Sequence, residues 1–478
     1  MMQGHSVEKI GGTSMAATST LFDNVLIAGR AGKNLYGRIF VVSAYAGMTN
    51  LLLEHKKTGE PGVYAHFARN QPCWQKALDR VCEEMCERNA AMFARRESLV
   101  QADRFVHQRT ESLRACLNDL DRLRAHGRFS LQDQLVTARE MLAGFGEAHS
   151  AHSTTLLLRD RGVNAVTVDL TMWSEEDPAS LDQRIREALE PIDLTTQMPI
   201  VTGYAGCEGG MVRRYARGYS EMTFSRIAVI TGANRAIIHK EFHLSSADPK
   251  LVGETRARKI GRTNYDVADQ LANLGMEAIH PRAGRGLRRA EIPLCVRNTF
   301  DREDEGTLIC GDYVSDTPRV EIVTGVPELH ALEFFDQDMV GEKGYDAAIL
   351  EALAKRSVWI VSKSSNANTI THYLSGDFEA VTKVVSDLES AFPGAVISAR
   401  PCAMVSAIGS DISEPGLAAK ALAALDEAGV RVLALQHQVR NVDMQFVIDR
   451  SDFEGAVGAL HRALVESELA DVSSRVAA

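Results

Sequence analysis

The chain has 478 residues, of which 45% are hydrophobic and 24% are charged, the balance of a globular protein with two or three domains. Its formal net charge is −10 and no tract of Lys and Arg stands out, which argues against non-specific nucleic-acid binding. The longest apolar runs, such as Ile227–Ile230, are too short to cross a bilayer, and the N-terminus lacks the apolar core of a signal peptide. We therefore expect a cytoplasmic protein with neither a nucleic-acid nor a membrane partner.

The eight cysteines contain no CxxC pair, which argues against a disulfide framework or a zinc ribbon. Cys82 and Cys86 lie four residues apart in a helical stretch and so share one face of the predicted helix. Unless two further ligands are present, such a pair is expected to be two reduced thiols and not a metal site.

In the first two thirds of the chain, predicted strands alternate with predicted helices. Helical spacing over Cys73–His126 predicts two or three helices. A Gly209-Gly210 turn between strand formers predicts a β-hairpin. The predicted strands are the first ten residues, Ile39–Ser43, Ala165–Asp169, Ile200–Tyr204 and Ala236–Lys240. This alternation predicts an α/β domain with a mainly parallel sheet.

After about residue 315 the pattern changes to two segments that share the order strand, Gly-marked loop, helix, strand. The first contains the predicted helix Tyr345–Lys355 and the second the predicted helix Gly416–Ala428. Two copies of a small α+β module are therefore predicted. The predicted boundaries are 1–315 for the α/β domain, 316–400 for the first module and 401–478 for the second, with interleaving of the two modules allowed.

Two glycine-containing segments follow the first two strands. Lys9–Ser14 (KIGGTS) combines a lysine with paired glycines, which let backbone N–H groups approach a phosphate closely. It is not a Walker A loop, because GxxxxGK[ST] is absent. Val41–Asn50 (VVSAYAGMTN) places the hydroxyls of Ser43 and Thr49 at a strand end, where α/β folds commonly bind ligands. Taken singly, each segment is equally an ordinary turn.

Four more segments carry polar residues in suggestive places. Glu140, considered alone, is a solvated helix residue, and Ser220 with Glu221 is an ordinary helix start. That helix start does not, however, require Arg217 or Gly218. The four segments are Leu135–Leu142 (LVTAREML), Ala216–Phe224 (ARGYSEMTF), Ser245–Val252 (SSADPKLV) and Gly275–Pro281 (GMEAIHP).

In this order the six segments resemble the aspartate kinase family. That family shows KFGGTSV, VVSAxxGxTN, LVSxGE, GRGGSDxTA, TDVxGxYxxDPR and a GAKVLHP-like segment, where this chain has KIGGTSM, VVSAYAGMTN, LVTARE, ARGYSEMTF, HKEFHLSSADPK and GMEAIHP. The resemblance covers essentially the whole chain, since the tail is similar to the family's paired ACT modules. It implies an α/β amino-acid-kinase (carbamate-kinase-like) sandwich with a mainly parallel central sheet, followed by two ACT-like α+β regulatory modules.

A more specific resemblance links the chain to the divergent aspartokinases associated with ectoine biosynthesis. It is carried by VEKIGGTSM, RIFVVSAYAGMTNLLLEHKKTGEPGVY, RGYSEMTF and IIHKEFHLSSADPKLVG. This resemblance implies that the product feeds aspartate semialdehyde to ectoine synthesis.

The family resemblance assigns site residues position by position. The implied catalytic residues are Lys9 and Glu221. The implied substrate contacts are Ser43, Thr49, Glu140, Arg217, Gly218 and Ser220. The implied nucleotide contacts are Lys9, Gly11, Gly12, Thr13, His239, Lys240, Ser245, Lys250 and Glu277.

The resemblance also implies a division of labour among these residues for ATP and L-aspartate. Lys9 would bridge the transferring phosphoryl group and the attacking carboxylate. Arg217 would bind the α-carboxylate of aspartate and Glu140 its α-ammonium group. Mg²⁺ would enter with ATP, and Glu221 would organise it only indirectly, so no separate metal site is implied.

The nucleotide segments depart from the family pattern. The family's Thr-Asp pair has become His239-Lys240, and Glu277 replaces a lysine. We therefore predict a charge swap in which Lys240 contacts the phosphates while Glu277 pairs with a cation or turns to solvent. The alternative is that Lys240 merely ends a strand at the surface.

Two rival functions and the regulatory properties stay open at this point. One rival is a non-catalytic homologue that binds an amino acid through its tail, and the other is a kinase acting on glutamate or acetylglutamate. The region Asp338–Tyr345 with Ser364–Asn368 corresponds to the family's effector site, but its SSNAN sequence does not resemble the lysine- or threonine-sensing segments. An amino-acid effector is thus possible, feedback is expected to be weak or altered, and paired ACT modules predict a homodimer or a higher oligomer.

Overall fold

The computed structural model describes residues 4–56, 58–127, 131–171, 180–215, 218–276, 278–437 and 439–466. The chain divides into two units. The first comprises Met1–His243 and Ile279–Gly311, and the second Leu244–Ala278 and Asp312–Ala478. The segment Leu244–Ala278 thus belongs to the second unit, although the sequence analysis places it within residues 1–315. Arg217 and Glu277 lie outside the described residues, so their roles remain predictions.

The strands of the described residues are β1 (Ser6–Ile10), β2 (Arg38–Val42), β3 (Ala165–Val168), β4 (Met198–Thr202), β5 (Arg235–Lys240), β6 (Arg262–Asn264), β7 (Leu294–Asn298), β8 (Thr307–Cys310), β9 (Ile322–Phe335), β10 (Trp359–Ser365), β11 (Thr369–Ser375), β12 (Val396–Ile408), β13 (Val432–His437) and β14 (Asp443–Ile448).

The α-helices are α1 (Gly12–Ala16), α2 (Thr18–Leu21), α3 (Met48–Leu52), α4 (Val63–Ala68), α5 (Trp74–Met92), α6 (Arg96–Ala125), α7 (Gln132–Asp160), α8 (Leu181–Leu189), α9 (Met211–Tyr215), α10 (Tyr219–Thr231), α11 (Pro249–Val252), α12 (Tyr265–Asn273), α13 (Pro281–Arg289), α14 (Tyr345–Lys355), α15 (Phe378–Ala391), α16 (Leu417–Glu427) and α17 (Phe453–His461).

The first unit is built on a sheet with the strand order β3-β4-β2-β1-β5-β7-β8. Every neighbouring pair in this order is parallel except β7 and β8, which are antiparallel. Most residues of the central strands are buried, as expected for a parallel sheet covered on both faces, and all of β2 is buried. The prediction of a mainly parallel α/β sheet is confirmed.

The helix α7 covers part of this sheet, and the helices α5 and α6 pack outside it. The helix α7 contacts β3 and β4, and its second half, from residue 142 onward, is buried on almost every side. The helices α5 and α6 contact each other, and α6 contacts α7. Two helices therefore occupy Cys73–His126, as the helical spacing predicted.

The hairpin predicted around Gly209-Gly210 is wrong. Both glycines adopt positive φ angles, 78° and 75°, but the turn leads into the short helix α9 and not into a second strand. The reason is a carboxylate from another helix. Glu140 of α7 accepts the backbone N–H groups of Val212 and Arg213 at 3.0 Å each, which satisfies the exposed donors of the first turn of α9.

The second unit contains an antiparallel sheet with the strand order β10-β11-β9-β12-β14-β13. The long strands β9 and β12 pair with each other over most of their length. The C-terminal part of β9 pairs with β11, and the C-terminal part of β12 pairs with β14. Each long strand therefore serves both halves of the sheet, and the register shift between Cys402 and Met404 marks the change from one half to the other.

Helices cover the two halves separately. Apolar residues of α14 and α15 form one core with the C-terminal part of β9, and those of α16 and α17 form another with β12 and β14. The result is two interleaved α+β halves after an α/β unit, so the predicted fold class is confirmed. The boundaries at 315/316 and 400/401 remain predictions. Among the described residues, no helix combines the length and apolar composition that a membrane span needs.

Candidate active site

The site begins at the end of β1, where consecutive side chains face opposite sides of the sheet. Lys9 lies beside Val41 of β2 and Ile238 of β5, and only 9% of it is exposed. Its Nζ lies 3.5 Å from Glu221 Oε1. A buried ammonium group is costly unless an anion is close, so this contact explains how the sheet tolerates Lys9.

Glu221 lies in the first turn of α10, as the sequence predicted for a helix start. Its Oε1 faces Lys9, and its Oε2 accepts the backbone N–H of His280. Burial raises the pKa of Glu221, but the charges of Lys9 and Lys240 and the His280 N–H outweigh it, so the pKa lies below its ordinary value. Glu221 is therefore ionised at neutral pH.

A second carboxylate near Lys9 is in the opposite state. Glu147 of α7 is buried and accepts the Ser220 hydroxyl on Oε1 at 2.7 Å. Its Oε2 is buried without a hydrogen-bond partner among the described residues. Burial dominates over the Ser220 hydrogen bond, the charge of Lys9 and the nearby Ala44 backbone N–H, and it raises the pKa of Glu147 to about 8. This carboxylate lacks the positive charge that would compensate its ionised form.

The residue before Glu147 explains how the helix reaches this position. A Cβ at Gly146 would lie 2.9 Å from Ala44 Cβ and 3.2 Å from Leu52 Cδ1, so only glycine lets α7 come this close to the segment after β2. Ser150, one turn later, donates its hydroxyl to the Ser43 carbonyl at 2.9 Å. The α7 helix is thus held against the strand end that carries Ser43.

Glu140, the predicted partner of the α-ammonium group, has other contacts. Besides the two N–H groups of α9, it accepts the Tyr204 hydroxyl on Oε2 at 2.7 Å. A Cβ at Gly210 would lie 2.4 Å from Glu140 Oε1, so the loop before α9 closes tightly over this carboxylate. The three hydrogen bonds give Glu140 a role in shaping the loop between β4 and α9.

The paired glycines differ from each other. The Gly11 N–H donates to the His239 carbonyl at 3.3 Å, which extends the pairing of β1 with β5. Gly12 begins α1, and a Cβ there would lie 2.8 Å from the Ala44 carbonyl oxygen. The Gly11 N–H is therefore already used within the sheet. Of the two glycines predicted to supply backbone donors, Gly12 remains, and the exposed Thr13 follows it in the first turn of α1.

The remaining predicted substrate contacts lie on short segments at the ends of elements. Ser43 follows β2 directly, and its N–H donates to the Ile10 carbonyl at 3.1 Å. Thr49 lies in the first turn of α3. Gly218 precedes α10, and a Cβ there would lie 2.5 Å from His280 Cδ2, so glycine is required by the close approach of the imidazole. Ser220 is the residue that contacts Glu147.

The predicted nucleotide residues His239 and Lys240 face opposite sides of β5. The His239 Nε2 lies 2.7 Å from Glu8 Oε2, on the side of the sheet opposite Lys9, so its imidazole supports β1 and is not part of the Lys9 site. Lys240 lies on the same side as Lys9. Its charge also lowers the pKa of Glu221. The alternation of the strand thus separates two residues that the sequence comparison placed together.

Two predicted nucleotide residues belong to the second unit. Ser245 donates its hydroxyl to the Ala247 carbonyl at 2.7 Å, and Lys250 lies in α11, capped by Asp248. Their predicted contacts with ATP, like those of Arg217 and Glu277, stay predictions. Within the first unit the structure brings together Lys9, Glu221, Ser220 and Lys240, and it adds Glu147.

Comparison with known proteins identifies the family of the chain. The sequence profile described as the amino acid kinase family matches residues 6–298. The chain belongs to the amino acid kinase family. A profile described as an ACT domain matches residues 405–464. Aspartate kinase Ask_Ect of Stutzerimonas stutzeri is 48% identical over 466 residues, covering 97% of this chain and 98% of that protein, so within the family the chain is an aspartate kinase.

Solved structures show the same fold over nearly the whole chain. Escherichia coli aspartokinase III in complex with lysine and aspartate superposes with a TM-score of 0.71 at 19% identity, covering 96% of this chain and 99% of that chain. The same enzyme in complex with aspartate and ADP gives a TM-score of 0.69 at 20% identity, with the same coverage.

The sequence analysis missed Glu147, although the dipeptide Gly146-Glu147 is a signal for it in an aspartate kinase. The family motif LVSxGE ends in Gly-Glu, and this chain has Gly146-Glu147 seven residues after Arg139-Glu140. Seven residues are about two helical turns, so both glutamates lie on similar faces of α7. Matching the motif by its initial Leu-Val selected Glu140, whereas matching it by its glycine would have selected Glu147.

A group of metal-type ligands follows the ends of β5 and β7. The donor atoms of His243, Asp301 and Asp304 all lie within 4.8 Å of one another. The imidazole has a carboxylate on each side, at 3.3 Å and 3.6 Å. These residues could hold a cation at the same edge of the sheet as Lys240.

Proposed function

We propose that the protein transfers the γ-phosphoryl group of ATP to the β-carboxylate of L-aspartate, giving 4-phospho-L-aspartate. The observation that supports this most directly is the placement of Lys9 near two buried carboxylates in different states, the ionised Glu221 and the under-compensated Glu147. A carboxylate acceptor is already ionised at neutral pH, so the reaction needs positioning and charge neutralisation and no general base.

On the substrate side we assign the α-ammonium contact to Glu147 in place of Glu140. Glu147 is buried with an unpartnered oxygen and a pKa of about 8, so an arriving ammonium group would supply the missing charge and ionise it. Ser220 fixes the other oxygen of the same carboxylate. The contact of Arg217 with the α-carboxylate stays a proposal from the family resemblance.

On the phosphoryl side, Glu221 orients Lys9, and Lys240 lies on the same face of the sheet. These two lysines would share the negative charge of the phosphates, with the N–H groups of Gly12 and Thr13 as further donors. Mg²⁺ would accompany ATP and neutralise its β- and γ-phosphates. Because both oxygens of Glu221 are already held by Lys9 and the His280 N–H, Glu221 fits an indirect role toward Mg²⁺.

A hydroxylamine-trapping assay tests the proposal. Purified protein is incubated with ATP, Mg²⁺ and L-aspartate, and the acyl phosphate is trapped with hydroxylamine as a hydroxamate. We expect hydroxamate and ADP in equal amounts, and loss of both in Lys9→Met. Preferential turnover of glutamate or acetylglutamate would contradict the substrate assignment. Aspartate binding without any ADP formation would favour the non-catalytic alternative.

We further propose that the product feeds aspartate semialdehyde toward ectoine synthesis. The proposal is supported by 48% identity to a protein named aspartate kinase Ask_Ect. Deleting the gene should lower ectoine accumulation in salt-stressed cells, and plasmid-borne wild type, but not Lys9→Met, should restore it. Unchanged ectoine in the deletion strain would remove this pathway from the proposal.

The tail is proposed to be an ACT-type regulatory region with weak or altered feedback, in an oligomeric enzyme. One E. coli aspartokinase III structure contains lysine, whereas the corresponding SSNAN segment here differs from lysine-sensing sequences. Titration of activity with lysine, threonine and both together should show little inhibition, and light scattering should give the mass of a dimer or higher oligomer. Strong inhibition at sub-millimolar lysine or threonine would contradict this proposal.

A further inference from the structure

Three side chains with metal-binding chemistry lie close together between α5 and α6, and a carboxylate lies one helical turn from the third. Cys82 and Cys86 lie one turn apart on α5, and Asp103 and His107 lie one turn apart on α6. Residues four apart share a helix face, and the two helices contact each other. The neighbouring helix therefore supplies His107 and offers Asp103 as the two further ligands that a cysteine pair needs.

The distances between donor atoms in this cluster are close to the distances between the ligand atoms of a bound metal ion. Cys82 Sγ lies 3.5 Å from His107 Nδ1, and Cys86 Sγ lies 3.9 Å from His107 Nε2. One donor atom from each of the three residues lies within 4.8 Å of the other two. In a tetrahedral zinc site with Zn–S of about 2.3 Å and Zn–N of about 2.0 Å, ligand atoms are roughly 3.5–3.8 Å apart. The two thiols approach different nitrogens of the His107 ring, so a rotation that presents one nitrogen to both thiols would place all three ligands on one ion.

Asp103 lies one turn before His107 on the same face of α6, so a side-chain rotation would let its carboxylate complete the set. A buried network holds this carboxylate from behind. Asn89, on α5, donates its side-chain N–H to Asp103 Oδ1 at 2.9 Å, and its own oxygen lies 2.8 Å from His149 Nε2. Hydrogen bonds of this kind orient ligands in metal sites. The exposed His107 gives an ion access from solvent.

We propose that Cys82, Cys86, His107 and Asp103 form a binding site for a tetrahedral, thiophilic divalent cation, with Zn²⁺ as its natural occupant. Two thiolates and an imidazole favour Zn²⁺ over Mg²⁺ or Ca²⁺, which prefer oxygen ligands. The ion would tie α5 to α6. The site is separate from the Lys9 site, so the proposal does not depend on the proposed kinase activity.

Binding is measured on the full-length, reduced protein after treatment with a chelator and desalting. Zn²⁺ is titrated in competition with a chromophoric chelator, and Co²⁺ serves as the spectroscopic probe. We expect one Zn²⁺ per chain and a thiolate-to-cobalt charge-transfer band with the visible bands of a tetrahedral ion. Cys82→Ser and Cys86→Ser should each weaken Zn²⁺ binding by on the order of a hundredfold or more and lose intensity in that band. His107→Gln should weaken binding while keeping the band.

Cys116→Ser is the matched control, because this thiol also lies on α6 but contacts Met141 and none of the four ligands. It should bind Zn²⁺ like the wild type. Zn²⁺ should raise the Tm of the wild type and of Cys116→Ser but not of Cys82→Ser. Three results would each overturn the proposal: no stoichiometric Zn²⁺ binding, a charge-transfer band of wild-type intensity in both Cys82→Ser and Cys86→Ser, or a Cys82–Cys86 disulfide as the stable state of the purified protein.

Discussion

Glu8 and Lys9 are consecutive residues of β1, yet they face two very different environments. On one side of the sheet, Glu8 is bound by Arg38 through Nε at 2.7 Å and Nη2 at 3.1 Å, and by His239 at 2.7 Å. Arg38 also donates to the carbonyls of Val25 and Leu26. On the other side, Lys9 has Glu221 at 3.5 Å and the under-compensated Glu147 nearby.

The two sides show how a structural charge cluster differs from a functional one. Burial raises the pKa of Glu8, but Arg38 and His239 overcome this and hold the pKa well below its ordinary value. Burial likewise raises the pKa of Glu147, and there nothing overcomes it. A fully paired cluster stabilises the fold and offers nothing to a ligand, whereas a carboxylate with missing positive charge gains energy when a cationic ligand arrives.

A substitution in the paired cluster of Glu8, Arg38 and His239 should have the largest effect on stability. Glu8→Gln leaves Arg38 buried without a full counter-charge, so we expect a loss of about 3–5 kcal/mol in the free energy of unfolding. Urea denaturation at pH 7 measures it. Ser6→Ala is the control, because it removes only the 2.9 Å hydroxyl hydrogen bond to the same carboxylate, and it should cost about 1 kcal/mol. Equal losses in the two variants would contradict the assigned role of Arg38.

On the Lys9 side of the sheet, the raised pKa of Glu147 should make the free energy of unfolding depend on pH. The folded pKa of Glu147, about 8, lies above its ordinary value of 4.5, so the folded state holds a proton that the unfolded state has lost between these pH values. Stability should therefore fall as pH rises from about 5 to 8, by at most about 1.4 kcal/mol per pH unit, and then level off. Glu147→Gln should lack this contribution. Urea denaturation of both proteins at several pH values compares the slopes, and identical slopes would contradict the raised pKa.

The same substitution should disable substrate recognition. Glu147→Gln removes the proposed anion for the α-ammonium group, so the aspartate KM should rise by on the order of a hundredfold while the ATP KM changes little. Glu140→Gln is the comparison variant, since it loosens the loop around α9 without removing the anion near Lys9. A larger rise in aspartate KM for Glu140→Gln than for Glu147→Gln would reverse our assignment and restore the one made from the sequence.

The sequence predicts the strands well because apolar runs such as Ile39–Val42 have few alternatives to a buried parallel strand. It fails at the loop before α9 for a physical reason. The turn residues Gly209 and Gly210 are local, but the carboxylate that makes a helix follow them is Glu140, about seventy residues earlier in the chain. Local turn chemistry cannot report a partner at that distance.

The sequence predicts those site residues that lie in short motifs, and it fails for residues whose position depends on strand or helix geometry. Lys9 and Glu221 follow from short motifs, and the structure places them together. The motif comparison placed His239 beside Lys240 because it ignores the period of two, by which neighbouring strand residues face opposite sides; the His239 imidazole contacts Glu8. Glu147 was missed because its signal, a Gly-Glu pair, lies about two helical turns beyond Arg139-Glu140, the position that the Leu-Val start of the motif selects.

Lys240 offers the smallest and sharpest comparison, because it tests whether the Lys9 side of the sheet extends to the end of β5. Lys240 shares the face of Lys9 and lowers the pKa of Glu221, so its charge acts on that site, whereas His239 beside it belongs to the paired cluster.

If Lys240 contacts the phosphates, Lys240→Met should lower kcat/KM for ATP by roughly ten- to a hundredfold and leave the free energy of unfolding nearly unchanged. Arg235→Met, at the exposed other end of the same strand, removes an equal charge and should leave kcat/KM for ATP near wild type. An ATP dependence in Lys240→Met equal to that of Arg235→Met would mean that Lys9 and the backbone donors of Gly12 and Thr13 hold the phosphates without Lys240.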